Sequence, residues 1–425
     1  MKFIFADALD IIDPEYDFLL DRSKVKDSAY WLGKYPHEFF PRPPYDGILI
    51  SKGVVGHPNM PGKYSTSQAM RFRRVGAREF LRLASRRYRD LDIFGDCGAF
   101  TYAKADVPPY STDDLLDFYA DGGFTHGCSL DHVILEFKPQ PASGLLGGSR
   151  RARERYELTQ QNAREFLRLS KSLGRRFTPL GVVQGWSPGS MAQAARNLER
   201  MGYRYISIGG MVPLASPAVH LCLRAIRATL RPSTKLHVLG FAKAEQIEEF
   251  TGYGIASFDS TSPLLRAFKD ARANYFLRDK KGALSYYTAI RIPHAIENKR
   301  FKVRSKQGSA SQEHLLDLEQ KALTAVRDFD HRKRGLEPTL RAVLAYNREF
   351  LWDSRVSIQA NETKVEKSER DLRRTLGDRP WQRCRCRVCA EAGVEVMIFR
   401  SSNRNKRRGF HNLKVYYDHF RKAVA

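Results

Sequence analysis

Three cysteines fall within six residues, Cys384, Cys386 and Cys389, spaced C-x-C-x2-C, and His411 follows after 21 more residues. Thiolates and imidazole are ligands that zinc prefers, and three plus one complete a tetrahedron with no open position. A closed site of this kind is structural and staples a segment too small to form its own core. A thiol cluster in a cytosolic chain points to metal before disulfides. The rivals are an iron–sulfur cluster, for which an imidazole is a less natural ligand, and three free thiols. His419, two turns beyond His411, is the weaker candidate for fourth ligand.

A second group of residues suits acid–base and nucleophilic chemistry. Asp259 lies in GIASFDSTSP, where an apolar run meets a carboxylate followed by small hydroxyl residues. The same pattern also serves an Asp that caps the next helix. Asp96 lies in GDCGAFTY, and its flanking glycines allow a planar ligand to approach the backbone. A tight Asx turn would look alike. Phe100, four residues on, has a ring that could stack on a base or fill a core. Asp131, in HGCSLDHVIL, sits among apolar neighbours and needs a partner or a ligand. Gln184 in VVQGW, and Gly209 with Gly210 in SIGGM, are polar or bare positions at run ends. Together these are carboxylates, an amide and open backbone. That set matches a purine edge better than a phosphate.

The elements that must position them recur along the chain. Eight β-rich runs are separated by helix-length amphipathic stretches: 2–6, 47–51, 91–96, 129–135, 178–184, 203–209, 236–240 and 254–259. Eight β/α repeats predict a (β/α)8 barrel of the TIM type, in which the C-terminal strand ends line one mouth. A doubly wound open sheet is the alternative, because periodicity does not report closure. The expected organisation is an α/β barrel over 1–265, a basic, largely helical nucleic-acid-binding extension over 266–380, and a zinc module with a final helix over 381–425. Within the last region RSSNRNKRRGF reads as a basic loop ahead of the helix HNLKVYYDHFRKAV.

Charge indicates the partner. The 425 residues carry 72 Lys and Arg against 47 Asp and Glu, a net charge of +25. Polyanions reward such an excess through counterion release. From Arg370 onward, 15 basic residues face 5 acidic ones. No apolar run is long enough to span a membrane, and the N-terminus turns acidic too early for a signal peptide, so a cytoplasmic protein is expected.

These motifs carry a resemblance. The chain is similar to the tRNA-guanine transglycosylase superfamily, most of all to its DNA-modifying branch, the bacterial 7-deazaguanine DNA transglycosylases. The similarity covers about 45–265 and returns at the zinc motif. GDCGAFTY resembles the family's Asp-Ser-Gly-Gly segment, with Cys97 in place of the Ser. VVQGW and SIGGM resemble its Gln-Gly strand and Gly-Gly loop, and LGFAKAEQIEEFTGYGIASFDS the approach to its nucleophile. The resemblance implies that Asp259 attacks C1′ of the nucleoside and that Asp96 is the general acid/base. Asp96 must then change protonation state, so burial near other carboxylates should raise its pKa. Asp131, Gln184, Gly209 and Gly210 would read the base edge, with Cys97 beside them. Phe100 and Leu239 would sandwich the base, and Cys384, Cys386, Cys389 and His411 would hold Zn2+. It further implies guanine and 7-cyano-7-deazaguanine as exchanged bases, DNA as polymer, and an ATPase-type partner protein. STSPLLRAF lacks the Pro-Thr-Arg segment of queuine-type tRNA enzymes. An archaeal-type enzyme acting on tRNA shares the FDS motif and is the first alternative; an inactive nucleic-acid-binding paralogue is the second, against which the retained Asp96 and Asp259 argue.

Overall fold

In a computed structural model of the chain, the described residues are 1–7, 9–24, 32–58, 60–140, 143–241, 244–269, 272–298, 301–302, 311–353 and 355–424. Two compact units emerge: Met1–Leu9 with Tyr45–Thr261 and Ala423–Ala425, and Asp10–Pro44 with Ser262–Lys422.

The first unit is a closed parallel barrel. Its strands are β1 Lys2–Ala6, β2 Gly47–Ser51, β3 Asp92–Asp96, β4 His126–Cys128, β5 Thr178–Val183, β6 Tyr205–Ile208, β7 Lys235–Val238 and β8 Ile255–Ser260. Each pairs with its chain neighbour, and β1 closes the ring by pairing both β2 (Ile4↔Gly47) and β8 (Ile4↔Asp259). Closure rules out the open sheet. Inside, Ile4, Leu49, Phe94, Cys128, Leu180, Val182 and Tyr205 form one packed cluster, so the barrel is a core and not a pore.

Helices α1 Thr66–Phe80, α2 Thr112–Gly122, α3 Arg150–Leu169, α4 Pro188–Met201 and α5 Ser216–Thr229 alternate with the strands. Their starts are written in the sequence: Ser65, Ser111, Ser149 and Ser187 each accept a backbone N–H of the first turn. Helix α4 buries Met191, Ala194, Ala195 and Leu198, a stripe at helical spacing.

One strand differs from expectation. The fourth covers 126–128, not 129–135, and Asp131 follows it. After Cys128 only Ser129 continues the ladder, bonding Leu180 O at 2.8 Å. Side chains then take over the backbone groups: Thr159 Oγ1 accepts from His132 N, and Gln184 Oε1 from Ile134 N. The apolar residues at 133–134 are buried without being in a sheet.

The second unit is built from helices α6 Ser262–Lys269, α7 Gln312–Asp330, α8 Leu336–Leu351, α9 Ile358–Asp378 and α10 Ser402–Ala423. A hairpin, β9 Tyr275–Arg278 and β10 Leu284–Tyr287, and a short parallel pair, β11 Ile290–Arg291 and β12 Ile398–Phe399, complete it. The expected basic loop is instead the first half of α10, and Arg404, Arg407 and Arg408 are buried there. Their charge is spent on internal partners, so it does not offer a surface to nucleic acid. Among the described residues no helix is long and apolar enough to cross a membrane.

Candidate active site and metal centre

Asp96 ends β3 beside Ser51, its register partner on β2. The Ser51 hydroxyl and the Gly98 N–H support its carboxyl, but Oδ1 is buried with no hydrogen-bond partner. Burial raises its pKa to about 7 against those two hydrogen bonds, and the neighbouring Asp259 and Asp131 add to the rise. Gly98 has φ +79°, and a Cβ there would lie 2.6 Å from Ser51 Oγ. Only glycine lets the turn close onto Asp96.

Asp131 is the centre of a fully bonded set. Its Oδ1 accepts from the Cys97 thiol at 2.9 Å and its Oδ2 from Gln184 Nε2 at 2.7 Å. Burial pushes the Cys97 thiol well above its usual range and Asp131 pushes it further, so it stays protonated and donates. Tyr102 Oη donates to the Asp131 carbonyl at 2.8 Å. A Cβ on Gly209 would meet Gln184 Nε2 at 2.3 Å, so bare backbone is what lets the amide lie there. Gly210 follows with φ +72°.

Asp259, on β8, is 6% exposed. Its Oδ1 accepts from Gly240 N at 2.9 Å and lies 3.2 Å from His237 Nε2. Its Oδ2 has no hydrogen bond among the described residues. One oxygen is therefore fixed and the other is left open. Behind it runs a buried chain: Tyr205 Oη to Ser257 Oγ at 2.6 Å, and Ser257 Oγ to His237 Nδ1 at 2.6 Å. The Asp259 carboxylate oxygen can only accept, so the direction is set from that end of the chain. Donation then runs in one direction, Tyr205 to Ser257 to His237 to Asp259, and places the His237 proton on Nε2.

The structure thus joins Cys97, Asp131, Gln184 and Gly209 by contact, and Asp96 with Asp259 and Asp131 by charge. Phe100 and Leu239 are outside that network. Phe100 is 55% exposed on the turn after β3 and has no ring partner among the described residues. Leu239, after β7, packs against the barrel core. Sequence reasoning missed His237, Ser257 and Ser51. The available signal was a polar residue inside an apolar strand, LHVLG, the same signal that marked Asp131.

In the second unit the cysteine cluster assembles. Cys384, Cys386, Cys389 and His411 bring one ligand atom each within 4.8 Å of one another. His411 Nδ1 lies 3.6, 3.3 and 3.3 Å from the three sulfurs. A tetrahedron with Zn–S of about 2.3 Å and Zn–N of about 2.05 Å has S···N edges of about 3.5 Å. The donor set therefore fits zinc. His411 Nε2 donates to the Phe276 carbonyl at 2.7 Å, which fixes the tautomer that turns Nδ1 to the sulfurs. Tyr275 stacks on the imidazole at 3.9 Å. His419 is directed elsewhere, to the Gly282 carbonyl.

No protein-family model matches the chain. It is 38% identical to a DNA-guanine transglycosylase of Salmonella montevideo, over 100% of this chain and 98% of that protein. The similarity runs the whole length of both chains, and this chain belongs to the DNA-guanine transglycosylase family.

Proposed function

We propose that this enzyme exchanges guanine in DNA for a 7-deazaguanine, 7-cyano-7-deazaguanine, through a covalent aspartyl-glycosyl intermediate. The observation that carries the reading is the pair of carboxylates in unlike settings. Asp259 has one oxygen tied down and one open, and Asp96 is half-buried with a buried, unpartnered Oδ1 and a pKa near 7.

In the first half-reaction Asp259 Oδ2 bonds to C1′ as the C1′–N9 bond breaks. The electron pair leaves with guanine, which takes the Asp96 proton. In the second, N9 of the incoming base attacks C1′, Asp259 departs, and the N9 proton passes to Asp96. Two displacements restore the original configuration, as in retaining glycosidases. Asp131, held by Cys97 and Gln184, reads the base edge with the backbone at Gly209 and Gly210, and Phe100 and Leu239 cover its faces. Cys97 acts by holding Asp131 and not by touching the base. Duplex DNA requires the nucleotide to be flipped out, at a cost of a few kcal/mol, which is the step an ATPase partner would assist. The second unit, rich in Lys and Arg, holds the nucleic acid.

The test offers labelled 7-cyano-7-deazaguanine with plasmid DNA and with bulk tRNA. Label should enter DNA, and Asp259→Ala should abolish incorporation and the covalent adduct, a loss of at least about 10⁴-fold. Label in tRNA alone would move the activity to the RNA branch. Turnover in the Asp259→Ala variant would remove the nucleophile assignment. Zn2+ at the Cys3His cluster is structural in this reading. Cys386→Ser should lose zinc by elemental analysis and lower soluble yield, with chemistry per folded molecule retained.

A further inference from the structure

In the second unit, helices α8 and α9 and the segments around β9 and β11 enclose a cavity of about 180 Å³. Lys364, Lys367 and Asp371 line it from one face of α9, at helical spacing. Asn347 lines it from α8, and Arg272 and Arg291 from the strand segments. Four cations thus face one carboxylate. Arg272 and Asp371 pair at 3.9 Å, and the Arg291 guanidinium is held 4.4 Å over the Phe350 ring. Lys364 and Lys367 make no ion pair among the described residues.

Asn347 is the independent sign of a ligand. It is 2% exposed, and its Oδ1 is buried with no hydrogen-bond partner. Buried amides are nearly always satisfied. The same amide carries two donors beside that acceptor. Cations and an amide around a cavity of several water volumes fit a phosphate group.

We propose that this cavity seats a backbone phosphate of the DNA strand, a grip that serves binding and not the exchange step. The proposal rests on the reading of the chain as an enzyme acting on DNA; the net charge of +25 makes a polyanion the natural occupant.

The test uses full-length protein and a guanine-containing DNA duplex, with affinity measured across a salt series. Lys364→Gln/Lys367→Gln is compared with Lys280→Gln/Lys281→Gln, which removes equal charge from the hairpin turn of the same unit. The cavity variant should bind several-fold more weakly. Its plot of log affinity against log salt should be shallower by about 0.9 for each phosphate no longer neutralised. The hairpin variant should lose less affinity and keep more of the wild-type salt slope. Equal losses in both variants, or none in the cavity variant, would overturn the proposal while the DNA reading stands. Failure of the wild type to bind DNA would overturn both. Inorganic phosphate raising the melting temperature of the wild type but not of the cavity variant, with DNA affinity unmoved, would assign the cavity to a small phosphate compound instead. Both lysines are exposed, and a melting curve in buffer checks that each variant folds.

Discussion

The barrel mouth and helix α10 both bury charge, and they treat it in opposite ways. On α10, Arg404 is 0% exposed and reaches Glu395 at 2.7 Å, Asp21, Ser401 Oγ and the Phe18 carbonyl. Arg400 bridges Asp21 and Glu319. Arg408 meets no carboxylate among the described residues but donates to the Val396 and Ala267 carbonyls, with its Nε left without a partner. At the mouth, Asp96 has an unpartnered oxygen, and its carboxylate neighbours make ionisation harder. Charge met by opposite charge and hydrogen bonds fixes a fold. Carboxylates crowded together with an oxygen left unpartnered are what the proposed chemistry would use.

Asp96→Asn tests that contrast most severely. As the general acid/base, Asp96 should contribute about 10²–10⁴-fold to exchange. In the proposed cycle its protonated form serves guanine departure and its carboxylate serves the incoming base, so wild-type turnover should peak near pH 7. The variant should be slow at every pH. Stability should move the other way. The folded carboxyl keeps its proton to about pH 7, whereas the unfolded one loses it near 3.8. Between those values the folded state binds more protons, so stability falls as pH rises. Asp96→Asn removes this loss. It should be more stable than wild type at pH 8, by on the order of 4 kcal/mol before screening reduces it, and equal below pH 4. Urea titrations at the two pH values measure it. A variant less stable at pH 8 would mean that Asp96 is an ordinary structural carboxylate.

The contrast also explains what sequence could show. The barrel was legible because runs such as GILIS and YRYISIG need only local pattern to declare themselves strands. The strand ends then placed Asp96, Gln184 and Asp259 without further information. Asp131 was found as a residue but put inside a strand, because buried apolar neighbours look alike in a sheet and in an extended segment bonded by side chains. RSSNRNKRRGF was misread for a physical reason. A basic run is solvated by default, and the carboxylates that bury this one, Asp21 and Glu395, are not visible as its partners in one dimension. For the same reason, nothing local assigns Asp10–Pro44 to the second unit.

Arg404→Ala approaches the contrast from the structural side. Removing one member of a buried ion pair leaves its carboxylates unpaired and costs about 3–5 kcal/mol. A urea titration should show that loss, with the exchange rate per folded molecule preserved. Unchanged stability would mean that this cluster is as unsatisfied as the barrel mouth. A fallen rate in folded protein would give α10 a part in the chemistry.

His237 is the residue on which the two treatments of charge meet, and it predicts the smallest effect. It is fully buried like the arginines, but its partner is Asp259, the carboxylate proposed as nucleophile. The chain from Tyr205 through Ser257 aims its Nε2 proton at Oδ1, which leaves Oδ2 open. A hydrogen bond to a charged group is worth about 1.5–3 kcal/mol, so His237→Leu should lower the exchange rate by roughly 10- to 100-fold. Because the bond orients the nucleophile and does not touch DNA, KM should hold while kcat falls. His237→Gln keeps a donor of similar reach and should recover much of the loss. A purely structural histidine would behave differently: both variants would lose melting temperature together, and kcat per folded molecule would stay put. If glutamine rescues the rate at a stability equal to that of the leucine variant, the bond works on the carboxylate. Asp259 would then be an open nucleophile because a buried relay holds only one of its oxygens.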